Sequence, residues 1–308
     1  MGKTGEWRGR RVLITGATGF IGRYLVERAL CSGATVTTLS RSRAMIHGAS
    51  AHIALDLGSR SEVWKSIQDL GPAAILHAAS SGVTEKVEFS EMLRSNVAGA
   101  DNLLSAAASL SSPPSVVMAG SGYEYAAQSR PLTEDDPIRP ASPYGISKAA
   151  AAFCAANYAT GMPITVLRIF NVYGPGERLP RLLPYIVRNA KLGNPVKLTA
   201  CEQVRDFIYV QDLASIFWRA LEYSPENGQL RTLNVGSGSP VPVRDFVCTV
   251  VRVLREEGVN AQVKFGARPY RANEPMYYAP DTSRLHETLG RPSLTFREVG
   301  IRQFVEAM

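Results

Sequence analysis

Tyr144 and Lys148 stand four residues apart in Ser142-Pro143-Tyr144-Gly145-Ile146-Ser147-Lys148. Ser142 suits a helix N-cap and Pro143 the first helical position, so a helix begins here and both side chains share one face. An ammonium beside a phenol favours phenolate and lowers its pKa, which lets tyrosine act as acid or base near neutrality. Ser121, just past a β-prone run ending at Met118, can hydrogen-bond the same substrate oxygen. Tyr-x-x-x-Lys often arises by chance, and its weight here comes from what accompanies it.

The chief companion is Thr15-Gly16-Ala17-Thr18-Gly19-Phe20-Ile21-Gly22, between the first strand and the first helix. Glycines at such a turn let backbone N–H groups approach a pyrophosphate and let helix pack on strand. The helix N-terminus then faces the anion. The spacing is G-x-x-G-x-x-G, not the G-x-G-x-x-G of the standard fingerprint. Its place in the first βα unit predicts a dinucleotide site. The second strand ends Leu39-Ser40-Arg41-Ser42-Arg43, without the acid that holds the ribose 2′-OH of NAD. A guanidinium there attracts a 2′-phosphate. The expected cofactor is therefore NADP(H), with NAD(H) open; the competing view makes Arg41 and Arg43 solvated loop residues.

These groups need a scaffold. Arg11 to Thr15 is β-prone, and Gly22 to Ser32 is helical. Further strands are expected at Thr35 to Leu39, His52 to Leu55, Ala73 to His77, Ser115 to Met118 and Ile164 to Arg168, with a helix near Ser61 to Asp69. Continuous apolar strands alternating with helices predict a parallel sheet covered on both faces. Beyond about Tyr173 the rhythm loosens and proline and glycine become frequent. The expected division is a dinucleotide-binding domain over 1–172 and a smaller domain over 173–308, with segments near 205–222 and 232–238 returning to the first.

The 308 residues, 45% apolar and 20% charged, suffice for a sizeable core and exclude a disulfide-dependent miniprotein or a low-complexity tail. Lys and Arg number 34 against 27 Asp and Glu, a net charge of +7, and 27 of the basic residues are Arg. Arg favours bidentate recognition of phosphate or carboxylate. The densest basic run, Arg8 with Arg10-Arg11, merely precedes the first strand, so an anionic small molecule is expected and no nucleic acid. Cys31, Cys154, Cys201 and Cys248 are scattered, with no metal-ligand spacing, which fits a reducing compartment and no metal. Gly2 to Trp7 lacks the apolar stretch of a signal peptide, and Ala149 to Ala156 falls far short of the ~20 residues that span a bilayer. A cytoplasmic protein with no membrane partner is expected.

Together these motifs resemble the extended short-chain dehydrogenase/reductase family, specifically its nucleotide-sugar branch of epimerases, dehydratases and reductases. The resemblance covers nearly the whole chain: the glycine turn, Asp56-Leu57, His77-Ala78-Ala79, Asn96-Val97, Ser121, and Pro143-Tyr144-Gly145 with Lys148. It continues through Arg168 to Pro175, Arg205 to Asp212, and Asn234-Val235-Gly236. It implies an α/β fold, a doubly wound parallel sheet of Rossmann type with a smaller C-terminal substrate-binding domain. Ser121, Tyr144 and Lys148 would be the catalytic set, with Lys148 also holding the nicotinamide ribose and Asn96 supporting them. The cofactor would rest on Gly16, Thr18, Gly19, Phe20, Ile21 and Gly22, with Arg41 at the ribose, Asp56 and Leu57 flanking the adenine, and Ala78 and Ala79 lining it. Asn171, Arg205 and Arg268 match positions that contact the substrate diphosphate in relatives. The ordinary alternative is a capping Asn, and Arg residues paired with Asp206 or Glu274. The surroundings of Arg268 also depart from the commonest family wording.

The departures bear on the reaction. The resemblance implies that 4,6-dehydratases carry an Asp-Glu pair right after the catalytic hydroxyl residue, where this chain has Gly122 and Tyr123. Decarboxylating relatives keep the Glu; Glu124 lies one residue too late. Epimerases and ketoreductases remain, and the Ser40-Arg41-Ser42 end of the second strand favours a net reductase. The expected reaction is NADPH-dependent reduction of a 4-keto group on a nucleotide-activated 6-deoxy sugar, with an NAD-retaining 4-epimerase as alternative and a non-catalytic cofactor sensor a distant third. Relatives pair through the helix bearing Tyr-x-x-x-Lys, so a homodimer is expected; the same Ala149–Ala156 run equally suits packing within one chain.

Overall fold

In the computed structural model, which describes residues 7–82, 87–226, 229–272 and 274–308, the first half of the chain alternates strand and helix. Gly2 to Glu6, part of the N-terminal stretch, lies outside the described residues. The strands are β1 (Arg11–Thr15), β2 (Thr35–Ser40), β3 (Ala51–Ala54), β4 (Ala74–His77), β5 (Ser115–Ser121) and β6 (Ile164–Ile169). Between them lie α1 (Phe20–Cys31), α2 (Arg60–Leu70) and α3 (Phe89–Met92), which runs through a π-helical turn at Leu93–Ala98 into α4 (Gly99–Ala108). Helix α5 (Pro143–Tyr158) precedes β6.

The second half adds β7 (Asn171–Tyr173), α6 (Leu182–Lys191), β8 (Val196–Lys197), β9 (Val204–Arg205) and β10 (Phe207–Tyr209). Next come α7 (Val210–Glu222), β11 (Leu230–Val235), β12 (Val241–Pro242) and α8 (Val243–Glu256). The chain ends with β13 (Val263–Lys264), β14 (Tyr277–Tyr278), α9 (Ser283–Leu289) and α10 (Arg297–Glu306).

One parallel sheet runs β11-β6-β5-β4-β1-β2-β3, the doubly wound order of dinucleotide-binding folds with β11 added at one edge. Its central strands are largely apolar on both sides because helices cover both faces. Side chains alternate across a strand, so Val12 and Ile14 of β1 enter the core shared with α1 and α7, while Leu13 enters that of α2, α4 and α5. Strand order reverses between β1 and β4, and diverging connections leave a crevice at their C-terminal ends. Thr15 and His77 pair across that point.

β2, β4 and β6 differ from the sequence expectation by one residue at one end. β3 starts one residue earlier, and β5 runs on to Ser121 rather than ending at Met118. Ala119 and Gly120 carry little β propensity, but pairing of Gly120 with Arg168 and Ser121 with Ile169 of β6 keeps them in the sheet. Strand β11 joins the same sheet beside β6, whereas β10 pairs with β7 in a separate two-stranded sheet.

Candidate active site

At the end of β1 the chain turns into α1 through Gly16, whose φ is +70°. A Cβ there would stand 2.6 Å from Ala79 N and 2.7 Å from the Ala78 carbonyl carbon, so the exits of β1 and β4 meet where only glycine fits. A Cβ on Gly22 would fall 2.0 Å from Gly16 O, which lays the first turn of α1 directly on the loop. Gly19 caps α1 without a side-chain hydrogen bond, and no acid occupies its first turn. Free N–H groups and the helix dipole make that end a seat for an anion.

A cleft of about 340 Å³ opens there, lined among others by Gly16, Thr18, Gly19, Arg41, Asp56, Leu57, Ala78 and Ala79. Phe20 and Ile21 pack against the core of α1 instead of lining it, and Gly22 contributes helix packing. A bare helix terminus, a turn closed to side chains and a cleft that runs from that turn past the ends of β2 and β4 fit a dinucleotide. At its far end Arg41 is 67% exposed and lies 3.9 Å from Glu91. Among the described residues Asp56 is the one carboxylate lining the cleft, and it is engaged: it accepts Gly58 N–H at 2.9 Å and Arg94 Nη2 at 2.9 Å. The Gly58 bond, then Arg94, hold its carboxyl below the usual range.

The Tyr144 helix starts as its sequence dictates, with Ser142 Oγ accepting Gly145 N–H at 3.1 Å and Pro143 in the first turn. Lys148 is buried, and Tyr144 half-buried. Burial pushes the phenol up to about 12, opposed by hydrogen bonding with the Ser80 and Ser121 hydroxyls. Burial likewise takes Lys148 down to about 8, opposed by Glu124. The expectation of a phenol made acidic by its ammonium neighbour is not met in the protein alone: loss of water acts most strongly on it, and the charges that follow are those of Glu124 and Arg181 rather than Lys148.

Asn96 sits in the π-helical turn, a feature with no local sequence signal and one often found at functional sites. Its Oδ1 accepts Ser81 N–H at 2.8 Å, and its Nδ2 donates to Ser81 O at 3.0 Å and Ser147 Oγ at 2.9 Å, bracing α5 against the segment after β4. His77, bonded through Nδ1 to Thr15 Oγ1 at 2.7 Å, is kept neutral by burial and then by Lys148, its pKa lowered to about 3.

On the other side of the phenol stands an aromatic wall. Tyr123 meets Tyr144 edge-on at 6.3 Å and stacks on Tyr278 at 5.2 Å, while Phe170 backs Tyr278 at 4.9 Å. The Tyr278 hydroxyl is buried with no partner among the described residues. Arg205 lies over the Tyr278 ring at 5.9 Å and pairs with Glu274 at 2.6 Å. Asn171 donates from Nδ2 to Asp206 O at 3.1 Å. Arg268 is exposed and sits on Tyr185, bonding its hydroxyl at 3.0 Å, so the structure ties it to α6 rather than to this wall. Glu124 turns inward, fully buried against Arg168. Sequence reasoning missed Ser80, which the Ala78-Ala79 exit from β4 could have flagged, and Tyr123 and Tyr278, which only the tertiary fold brings together.

Residues 12–236 match the model of the NAD dependent epimerase/dehydratase family. The chain belongs to this family. It is an enzyme of the extended short-chain dehydrogenase/reductase type, in the nucleotide-sugar branch. It is 29% identical over 330 residues to UDP-glucuronate 4-epimerase 2 of Arabidopsis thaliana, covering 96% of this chain and 75% of the relative. It is 29% identical over 326 residues to a dTDP-glucose 4,6-dehydratase of Xanthomonas campestris, covering 96% and 92%. Among solved structures, MoeE5 in complex with UDP-glucuronic acid and NAD superposes with a TM-score of 0.83 at 29% identity, over 96% of this chain and 98% of that one. No helix among the described residues is long and apolar enough to cross a membrane.

Proposed function

We propose that this enzyme reduces a 4-keto group on a nucleotide-activated 6-deoxy sugar, using NADPH. Gly16, Thr18, Gly19 and the start of α1 would hold the pyrophosphate, Asp56 and Leu57 the adenine, and Lys148 the nicotinamide ribose. When bound, the reduced dinucleotide supplies a hydride to the ketone carbon. Tyr144 donates its phenolic proton to the ketone oxygen, Ser121 hydrogen-bonds that oxygen as charge develops, and the resulting phenolate takes a proton back from water. Lys148, charged beside it, stabilises the phenolate. Arg205 and Asn171 would steady the diphosphate, with Arg268 at the outer edge.

The carrying observation is the cleft's ribose end. It presents Arg41 and no carboxylate from β2, and Asp56, the one carboxylate among the described residues that line the cleft, is engaged by Arg94. A second support is the inward turn of Glu124, whose carboxylate is held by the Ser121 N–H and Arg168 and so is not free to eliminate water. The relatives favour another reading, an NAD-retaining 4-epimerase, because the plant 4-epimerase and the MoeE5 complex with NAD are each 29% identical to this chain over nearly its full length. Titration with both cofactors tests the choice: Arg41→Ala should weaken NADPH about tenfold while leaving NADH unchanged. Tighter NADH binding by the wild type would remove the NADPH reading.

We also propose a homodimer through α5 and the α3–α4 segment. Phe89 and Leu93, and Ile146 and Phe153 at i and i+7 of α5, are exposed apolar side chains, and α5 packs on that segment. A monomer by light scattering at micromolar concentration would contradict it. The four cysteines are free thiols, which supports a reducing, cytoplasmic setting.

A further inference from the structure

Glu124 lies three residues after Ser121, fully buried, where the proposed proton transfer has no use for it. Its Oε1 accepts Ser121 N–H at 2.7 Å and its Oε2 accepts Arg168 Nε at 2.7 Å. Ser121 Oγ in return accepts Tyr123 N–H at 3.2 Å, so carboxylate and hydroxyl together lock the single turn that presents Ser121. Arg168 reaches on through Nη1 to Tyr125 Oη at 2.7 Å, and that hydroxyl donates to Asn234 Oδ1 on β11 at 2.7 Å. Gly120 leaves the room: a Cβ there would stand 2.9 Å from Glu124 Oε1.

A buried ion pair is a poor way to stabilise a fold, since an apolar pair of similar volume often does as well. The surroundings of this carboxylate suggest another purpose. Arg168 on β6 bonds it directly and Tyr125 stands beyond Arg168. Helix α5 packs on the turn that carries it, and its charge acts on Tyr144 and Lys148 of that helix and on Tyr278 of β14.

We propose that Glu124 is a positioning residue of the reaction: anchored by Arg168, it fixes the Ser121 hydroxyl and sets the field around Tyr144 and Lys148. Its charge pushes both groups toward their protonated forms. The phenol thus stays loaded with the proton it delivers, and the ammonium stays charged against the cost of burial. The proposal rests on the reading of Tyr144 as the proton-transfer group, in whichever direction the hydride moves.

The test is the pH profile of kcat for Glu124→Gln in the full chain, with whichever nucleotide sugar the wild type turns over, beside a thermal melt. Removing the negative charge should move the limb governed by Tyr144 to lower pH by about half to one unit. Looser placement of Ser121 should lower kcat about tenfold, with KM nearly unchanged. Gln turns an N–H group toward Arg168, so if this variant fails to fold, the double variant Glu124→Gln with Arg168→Gln restores a neutral bonded pair; it removes both charges, and the proposal then predicts the drop in kcat at nearly unchanged KM with little movement of the limb. A limb that stays at the wild-type pH in a folded variant, with loss confined to the melt, overturns the proposal. Full turnover by Tyr144→Phe would instead overturn the underlying reading, so the two failures are distinct.

Discussion

The cleft at the glycine turn and the aromatic wall beside Tyr144 are built by different means. At the dinucleotide end, recognition is a matter of backbone: Gly16 and Gly22 leave no space for a Cβ, and α1 starts with unengaged N–H groups. At the wall, the sugar end in the proposed reading, it is a matter of side chains from remote segments, with Tyr123, Tyr144, Arg205 and Tyr278 meeting across more than half the chain. A backbone site follows from the fold and is shared widely. A side-chain site can be re-specified one residue at a time, which is why one family hosts several reactions.

The contrast can be broken at its join, the phenol. Tyr144→Phe should cut turnover by roughly two to four orders of magnitude while a binding titration finds cofactor affinity unchanged. At the backbone end, Gly22→Ala should do the reverse of a catalytic variant. Forcing a methyl against Gly16 O costs about 2–3 kcal/mol, read as a lower melting temperature and a loss of dinucleotide affinity of about a hundredfold.

His77 sharpens the same end. Its folded pKa of about 3 lies below the unfolded value of 6.5, so the unfolded chain binds the extra proton. The stability it confers is therefore present above about pH 6.5 and drains away as pH falls toward 3. Linkage gives a loss of about 2 kcal/mol by pH 5. Denaturant melts of wild type and His77→Gln across that range should show the steeper fall in the wild type only. At the sugar end the effects are smaller and graded: Arg205→Gln should raise KM about tenfold and Arg268→Gln at most about threefold. Equal effects would erase the distinction between the residue at the aromatic wall and the one on Tyr185.

How much of this was legible beforehand follows the same division. The glycine turn and the Tyr144–Lys148 pair are local patterns, and their backbone consequences can be reasoned from adjacent residues. The last residues of β5, the π-helical turn carrying Asn96 and the inward Glu124 depend on pairing with β6 and packing against α5, which no window of sequence reports. The phenol's high pKa was missed for the same reason. The ammonium was visible at i+4, but the burial that raises the phenol belongs to the tertiary structure.

The central claim is net reduction, and its most direct test is stoichiometry. Purified protein stripped of nucleotide is mixed with NADPH and a panel of nucleotide-linked 4-keto-6-deoxy sugars, and cofactor oxidation is followed with product formation. One NADPH consumed per alcohol formed is the predicted result. Interconversion of a nucleotide sugar at C4 with no net change in dinucleotide, by protein that retains NAD, would contradict it.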